Sequence, residues 1–433
     1  MKKHKICLVS SAHVSYNPRL LKEADALFED DFEVRVVAMN MERAKTKWDE
    51  RLMSSRSWRL QTVNGCPATG FGRITWLKAG LRQRLHQRYG SLQQNGFGLE
   101  RCYSRYFPEL CRLATSEQAD LFIAHNLSAL PAAAFAARHF KAKLGFDAED
   151  FHRGEFAESD TGSALLRKLT ESVEQKYIPR CDYLTAASDG IGDAYSVALG
   201  VSKPATILNV FPLSERQGHT PRQELETERK GPGLSLYWYS QVIGSDRGLE
   251  DVLEAMSLLG HGVRLHLRGA WANGYEAVFR KRVRELNVQD AVHVLSCEPP
   301  EQLVERAAQH DVGLALEPGN RPNNRLAASN KLFTYFLSGL AVAATDVPGQ
   351  RRILESAPEA GFLYEVGNAQ ALSKSLRSWL SNSTSLHLAK QRSRQYGTLL
   401  FCWDREKHKL IHEVERAFRN KTPSRETDSV VMP

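Results

Sequence analysis

At 433 residues the chain exceeds the usual size of one domain two- to threefold, so two packed domains are expected. A hydrophobic share of 42% and a charged share of 25% are those of an ordinary globular protein, which excludes a fibrous or largely disordered chain. Lys and Arg (58) outnumber Asp and Glu (50); the formal charge of +8 favours phosphate-bearing partners, on nucleotides, lipids or nucleic acid, without choosing among them.

The basic start, Met1 to Lys5, resembles the first part of a signal peptide, but the apolar run behind it is only Ile6 to Val9. A cytoplasmic location is expected. No stretch approaches the roughly 18 apolar residues of a membrane helix, and the longest small-apolar run, Ala129 to Ala137, contains Pro131. The seven cysteines are scattered, without Cys-x-x-Cys spacing, and are expected to be reduced and structural.

Strand signals then alternate with helix signals, the rhythm of an α/β protein with parallel sheets. Lys5 to Ser10 reads as a buried strand. Asn17 and Pro18 open a helix as N-cap and first residue, with Leu20, Leu21, Ala24 and Leu27 at helical spacing. Phe32 to Ala38 is the next strand. Further strands are expected at Asp120 to Ala124, with a helix from Leu130, at Lys143 to Asp147, and at Tyr183 to Ala187, with a helix capped by Ser188. Ser214 to Gly233 carries almost no apolar periodicity and reads as a linker or a surface excursion.

The rhythm restarts beyond it. Strands are expected at Leu234 to Ser240, Val263 to Arg268, Val292 to Leu295, Val312 to Leu316 and Ala341 to Thr345. Helices are expected at Leu249 to Leu259, Tyr275 to Leu286, Pro299 to Ala308 and Lys331 to Leu337. The predicted organisation is an N-terminal Rossmann-like domain over 1–207, a linker over 208–233, a second Rossmann-like domain over 234–402, a closing helix over 403–420 and a disordered tail over 421–433.

There is no Gly-x4-Gly-Lys loop, no His-Glu-x-x-His pair and no Gly-x-Ser-x-Gly turn. Gly190-Ile191-Gly192 is followed by Asp193 rather than a third small residue, so a nicotinamide fingerprint is not matched. Two nucleotide-type domains without a dinucleotide motif point to a cleft enzyme handling a single nucleotide. The most informative segment runs from Val312 to Gly349. It places Glu317 at the carboxyl end of a strand, where open α/β sheets bind ligands. It then opens a helix with Asn330 as expected cap and Lys331 in its first turn, a seat for a diphosphate.

This segment resembles the retaining GT-B glycosyltransferases of the large group called family 4, through Glu317-Pro318, Asn330-Lys331-Leu332-Phe333, Tyr335, Gly339-Leu340, Thr345-Asp346 and Pro348-Gly349. Other segments agree in order: Asn17 to Lys22, Ala124 to Pro131 around His125, Phe146 to Asp150, Gly244 to Glu250 and Leu267 to Gly269. The resemblance implies two Rossmann-like domains with a cleft between them and a C-terminal helix returning to the first. It implies sugar transfer from a nucleotide sugar to a saccharide or lipid-linked acceptor in bacterial-type surface glycan synthesis, with retention and without a required metal or other cofactor.

His125 and Glu317 are then the expected catalytic residues. Gly244, Arg247, Gly248, Asn330, Lys331 and Thr334 are expected on the donor side, and Glu149 and Asp150 on the acceptor side. The resembled families place a Glu, thought to hold the donor ribose, where this chain has Thr334, and an Arg near Gln241. A nucleotide-sugar 2-epimerase and a catalytically weakened scaffold protein are the alternative readings. The oligomeric state is left open.

One stretch stands outside these motifs. Arg73 to Tyr89 carries Arg73, Lys78, Arg82, Arg84 and Arg88, no acid, and Trp76, Leu77, Leu81 and Leu85 at helical spacing. It suits an anionic membrane surface, which would place the protein peripherally at the inner face of the cell membrane. A solvated helix packed on its domain suits the same residues. No DNA- or RNA-binding module is recognisable, so nucleic acid is not expected as a partner.

Overall fold

The structure, a computed structural model, describes residues 3–89, 98–156, 161–216 and 233–420. It divides into two compact units, one formed by Met1–Ile207 with Lys407–Pro433, the other by Leu208–Glu406. The expected linker is described over 208–216 and at 233; residues 217–232 and the expected tail lie outside the described residues.

The first unit is built on a parallel sheet of β1 (Lys5–Ser10), β2 (Glu33–Asn40), β3 (Arg59–Asn64), β4 (Leu121–His125), β5 (Lys143–Ala148), β6 (Tyr183–Ala186) and β7 (Ala205–Thr206). Their order is β3-β2-β1-β4-β5-β6-β7. Ile6 to Val9, Val36 to Met39 and Leu121 to Ala124 are buried without alternation, as strands covered on both faces must be. The order reverses between β1 and β4, so the crevice where open sheets take ligands opens at the ends of these two strands.

The helix Pro18–Glu29 starts as expected: the Asn17 side chain accepts from the Leu20 N–H at 2.8 Å. Ser188 likewise caps the helix Asp189–Leu199. The last helix, Trp403–Arg419, buries Leu410 and Val414. Its end belongs to the first unit, where Phe418 stacks on His4 at 4.2 Å and Lys143 donates to the Asn420 carbonyl at 2.6 Å.

The second unit repeats the design with β8 (Leu234–Ile243), β9 (Val263–Trp271), β10 (Val292–Leu295), β11 (Val312–Ala315), β12 (Ala341–Thr345) and β13 (Gly361–Tyr364). They lie in the order β10-β9-β8-β11-β12-β13, again parallel, with the reversal between β8 and β11. Leu236, Trp238, Leu265, Val312, Leu314 and Ala343 form part of its core.

Two expectations need correction here. Strand pairing ends at Ala315, opposite Ala344, rather than at Leu316 or Glu317. The helix that follows spans Asn330–Ser338, so Asn330 is its first residue, and Ser329, with extended backbone, is the N-cap. Ser329 makes no side-chain cap because its hydroxyl is drawn to Glu317. The helix ends as expected at Gly339, whose φ of 74° is left-handed backbone that glycine adopts without strain.

All seven cysteines are free thiols, and among the described residues no helix is long and apolar enough to cross a membrane.

Candidate functional site

In the second unit the sequence-predicted donor residues gather at the β8/β11 reversal. Past the β11 ladder, the Glu317 carbonyl accepts from the Thr345 hydroxyl at 2.7 Å, which fixes the backbone carrying this side chain. The Glu317 carboxylate accepts from the Ser329 hydroxyl at 2.9 Å and lies 3.5 Å from the Lys331 ammonium, with 22% of the side chain exposed. Lys331 also sits 5.8 Å over the ring of buried Trp238. A carboxylate and an ammonium are thus held together at a helix N-terminus, where backbone N–H groups and the helix dipole favour an anion.

Gly244 to Gly248 leads from β8 into the helix Leu249–Leu259. Gly248 has a φ of 68°, and a Cβ there would lie 2.9 Å from the Leu316 carbonyl oxygen and the Leu316 Cβ. Only a glycine lets this loop close against the residue before Glu317. Gly248→Ala is therefore expected to lift the loop and lower stability by about 1–3 kcal/mol, measured by urea denaturation. Arg247 is exposed beside it and, among the described residues, has no ion-pair partner.

Thr334 stands differently from the expectation that it faces the donor. It is fully buried, and its hydroxyl lies 2.7 Å from the phenol of Tyr239, which is itself only partly buried. Burial pushes the Tyr239 hydroxyl above its ordinary pKa, keeping it neutral. Asn330 is exposed on the first turn. Sequence reasoning missed Tyr239 and Ser329; a Tyr inside a strand and a Ser before a helix carry no signal for these contacts.

The first unit gathers His125, Glu149 and Asp150 at the ends of β4 and β5. Ser10, His125, Asp147 and Thr185 are Cα partners in a row across four strands. The helix Pro18–Glu29 lays Arg19 and Glu23, one turn apart, over this row. Arg19 grips both oxygens of Asp147, at 2.5 and 2.8 Å, and donates to the Ile207 carbonyl at 2.5 Å. Glu23 accepts from the Tyr183 hydroxyl at 3.0 Å, and its other oxygen lies 3.0 Å from His125 Nε2.

His125 Nδ1 lies 3.3 Å from Glu149 and 3.5 Å from Asp147. The imidazole is fully buried with a carboxylate at each nitrogen. Burial opposes its charge, but the attraction of Glu23, the bond to Glu149 and the attraction of Asp147 raise it to about 10, which favours the imidazolium form at neutral pH. What it offers at this edge is fixed charge, not a free nitrogen. Asp147 is held below the usual carboxylate range: burial raises it and the Arg19 guanidinium outweighs burial.

Glu149 keeps open surface at this edge: its side chain is 27% exposed, and its oxygen accepts from Asn17 Nδ2 at 2.6 Å. Asp150 is partly exposed, with its carbonyl 3.2 Å from the Tyr195 hydroxyl. At the reversal itself, the Asn126 side chain accepts from the Ser11 N–H at 3.1 Å and hydroxyl at 2.9 Å, which holds Asn126 at a φ of 68°. Strained backbone directly after His125 is a mark that functional edges often carry.

Glu23, His125 and Asp147 offer ligand atoms within 4.8 Å of one another, a spacing a metal ion uses. Their chemistry fits poorly: both Asp147 oxygens already accept from Arg19, so a fixed cation sits where a metal would bind. A second buried histidine nearby, His13, donates from Nδ1 to Asp49 at 2.6 Å. Its Nε2 accepts from the Met41 and Glu42 N–H groups, so the ring ties the β1 loop to its neighbours.

No family model and no curated protein matches the chain. Solved structures do. HepE from Anabaena in complex with UDP is 14% identical over 95% of this chain and 99% of its own, with a TM-score of 0.67. Sucrose-phosphate synthase from Thermosynechococcus elongatus is 13% identical over 96% and 99%, with a TM-score of 0.72. A putative UDP-N-acetylglucosamine 2-epimerase from Listeria monocytogenes is 14% identical over the full length of both chains, with a TM-score of 0.58. The chain has the two Rossmann-like sheets of the GT-B fold, as the sequence led us to expect.

Proposed function

We propose that the chain is a glycosyltransferase that moves a sugar from a nucleotide sugar to a saccharide or lipid-linked acceptor, with retention, in the assembly of a bacterial-type surface glycan in the cytoplasm. The observation that carries the reading is the Glu317–Ser329–Lys331 cluster at the β8/β11 reversal, with the Gly244 to Gly248 loop closed against it. In this reading the donor diphosphate lies at the start of the helix Asn330–Ser338. Lys331, the first-turn amides and Arg247 stabilise the charge that grows on it as the bond to the sugar breaks, which is stabilisation specific to the transition state. Glu317 holds sugar hydroxyls. These groups supply the positive charge the leaving diphosphate needs, so no metal or other cofactor is assigned. On the first unit, Glu149 and Asp150 face the acceptor, and His125 acts through Glu149.

The test is donor binding followed by turnover. In a thermal-shift screen of UDP-, GDP-, ADP- and dTDP-sugars, one donor at a hundred times its dissociation constant should add about 2.7 kcal/mol. Among them UDP-sugars are the first choice, because HepE was solved with UDP and UDP-glucose. Lys331→Ala should weaken that donor by about 1–3 kcal/mol in calorimetry, the worth of a charged hydrogen bond. Nucleotide release should depend on an added saccharide acceptor. Isomerisation of UDP-N-acetylglucosamine without any acceptor would favour the epimerase reading that the Listeria structure brings forward. Donor binding with no turnover on any acceptor would favour a scaffold.

A further inference from the structure

The helix Gly70–Tyr89 is amphipathic the wrong way round. Toward its own unit it presents small and polar side chains. Ala79 is buried, and a Cβ on Gly72 would lie 2.3 Å from the Cys66 carbonyl oxygen, so the first turn is packed against the loop that leads into it. Arg82 donates to Glu109 at 2.6 Å, and Gln83 and Gln87 both donate to the Cys102 carbonyl at 3.0 Å. The large apolar side chains point outward: Phe71 is 86% exposed, Leu81 62%, Leu77 53%, Ile74 51% and Leu85 49%. Trp76, at the flank of this stripe, is stacked by the Arg105 guanidinium at 4.7 Å.

The exposed face also carries the cations. Arg73, Lys78, Arg84 and Arg88 are exposed along the same stripe, and the helix has no Asp or Glu over its 20 residues. A helix of this length presents a convex ridge about 30 Å long. A protein partner would need a groove lined with acids over that whole length. A bilayer with anionic headgroups meets a convex ridge directly, taking Phe, Leu and Ile side chains below the headgroups while Lys and Arg stems reach up to phosphate.

We propose that the outer face of Gly70–Tyr89 is a docking surface for an anionic lipid bilayer, with the helix lying in the plane of the headgroups. The inference does not rest on the reaction assigned above: the helix faces lipid whatever the chain catalyses.

The test is cosedimentation of the full chain with vesicles of phosphatidylcholine alone and of phosphatidylcholine with an equal part of phosphatidylglycerol. Binding is expected to the second only, and to weaken with salt. Replacing Arg73, Lys78 and Arg84 together by Gln should weaken it on the order of a hundredfold, since each charge near an anionic surface contributes about a factor of five. Replacing Leu77, Leu81 and Leu85 together by Gln should leave a weak attraction that disappears at moderate salt. All six positions are exposed, and unchanged far-ultraviolet dichroism and melting temperature establish that the variants fold.

Failure of the wild type to bind anionic vesicles at low salt overturns the proposal, as does binding by both triple variants as tight as that of the wild type. If the leucine variant instead dissolves a dimer seen by analytical ultracentrifugation, without a change in vesicle binding, the stripe is a contact between copies. If charge loss abolishes binding to duplex DNA but not to vesicles, the partner is nucleic acid; both results also overturn it. Donor binding measured on the same variants separates this proposal from the assignment of the reaction.

Discussion

Glu317→Ala is expected to lower kcat by a factor on the order of 10² to 10³, with little change in melting temperature. That factor matches the loss of one transition-state hydrogen bond in a water-poor site. The fold survives because the carboxylate is outside the core: it is partly exposed, and its partners are Ser329 and Lys331 at the edge of the unit. Removing it even frees the Ser329 hydroxyl to cap the helix Asn330–Ser338, which offsets the lost ion pair.

Glu317→Gln separates the possible roles of the group. The amide keeps the right shape and still accepts from Ser329, but it gives up the charge. If Gln restores most of the rate, Glu317 orients hydroxyls; if it does not, the negative charge itself acts on the sugar. The measurement is nucleotide release under saturating donor, alongside donor affinity by calorimetry. Wild-type turnover by Glu317→Ala removes the assignment of this site.

The parts of the fold that were legible in the sequence are those where burial is two-sided. Lys5–Ser10 and Ala341–Thr345 have the expected limits because their apolar runs are buried almost without a break, from Ile6 to Ser10 and from Ala341 to Thr345. β3 was not legible: Arg-Leu-Gln-Thr-Val-Asn is an edge strand, half exposed, and its residues look like a loop. The helices Arg43–Met53 and Ala164–Tyr177 were hidden by polar sequences with few buried side chains.

The neighbourhood of Glu317, Lys331 and the Gly244 to Gly248 loop was legible because a strand end, a glycine loop and a helix start each leave a local signature, and the β8/β11 reversal brings the three together. The first-unit network was only half legible. Arg19 and Glu23 sit beside Leu20, Ala24 and Leu27 on the buried side of their helix, and a charged pair at i, i+4 on an apolar face was the available sign. That Glu23 would meet His125 depends on residues 102 positions apart in sequence, which no local pattern reports.

The second large effect is expected from that network. His125→Ala should destabilise the first unit by about 3–5 kcal/mol, the usual result of removing one partner from a buried ion pair. Arg19 continues to neutralise Asp147, but Glu23 is left in the core with only the Tyr183 hydroxyl. The pH dependence identifies the charge. A histidine raised in the folded state to about 10 stabilises fully below its ordinary value near 6.5 and loses that contribution as pH climbs through 10.

The stability gap between the wild type and His125→Ala should therefore narrow as pH rises from 8 to 10. Urea denaturation at each pH gives the gap directly, since surface groups common to both proteins cancel. A gap that stays constant over this range means that the buried ring is neutral. A gap that widens reverses the sign and leaves no imidazolium at the end of β4. At temperatures where the variant remains folded, donor affinity should be unchanged while turnover falls. The imidazolium and Asn17 together hold Glu149, and without the ring that carboxylate loses one of the two groups that aim it.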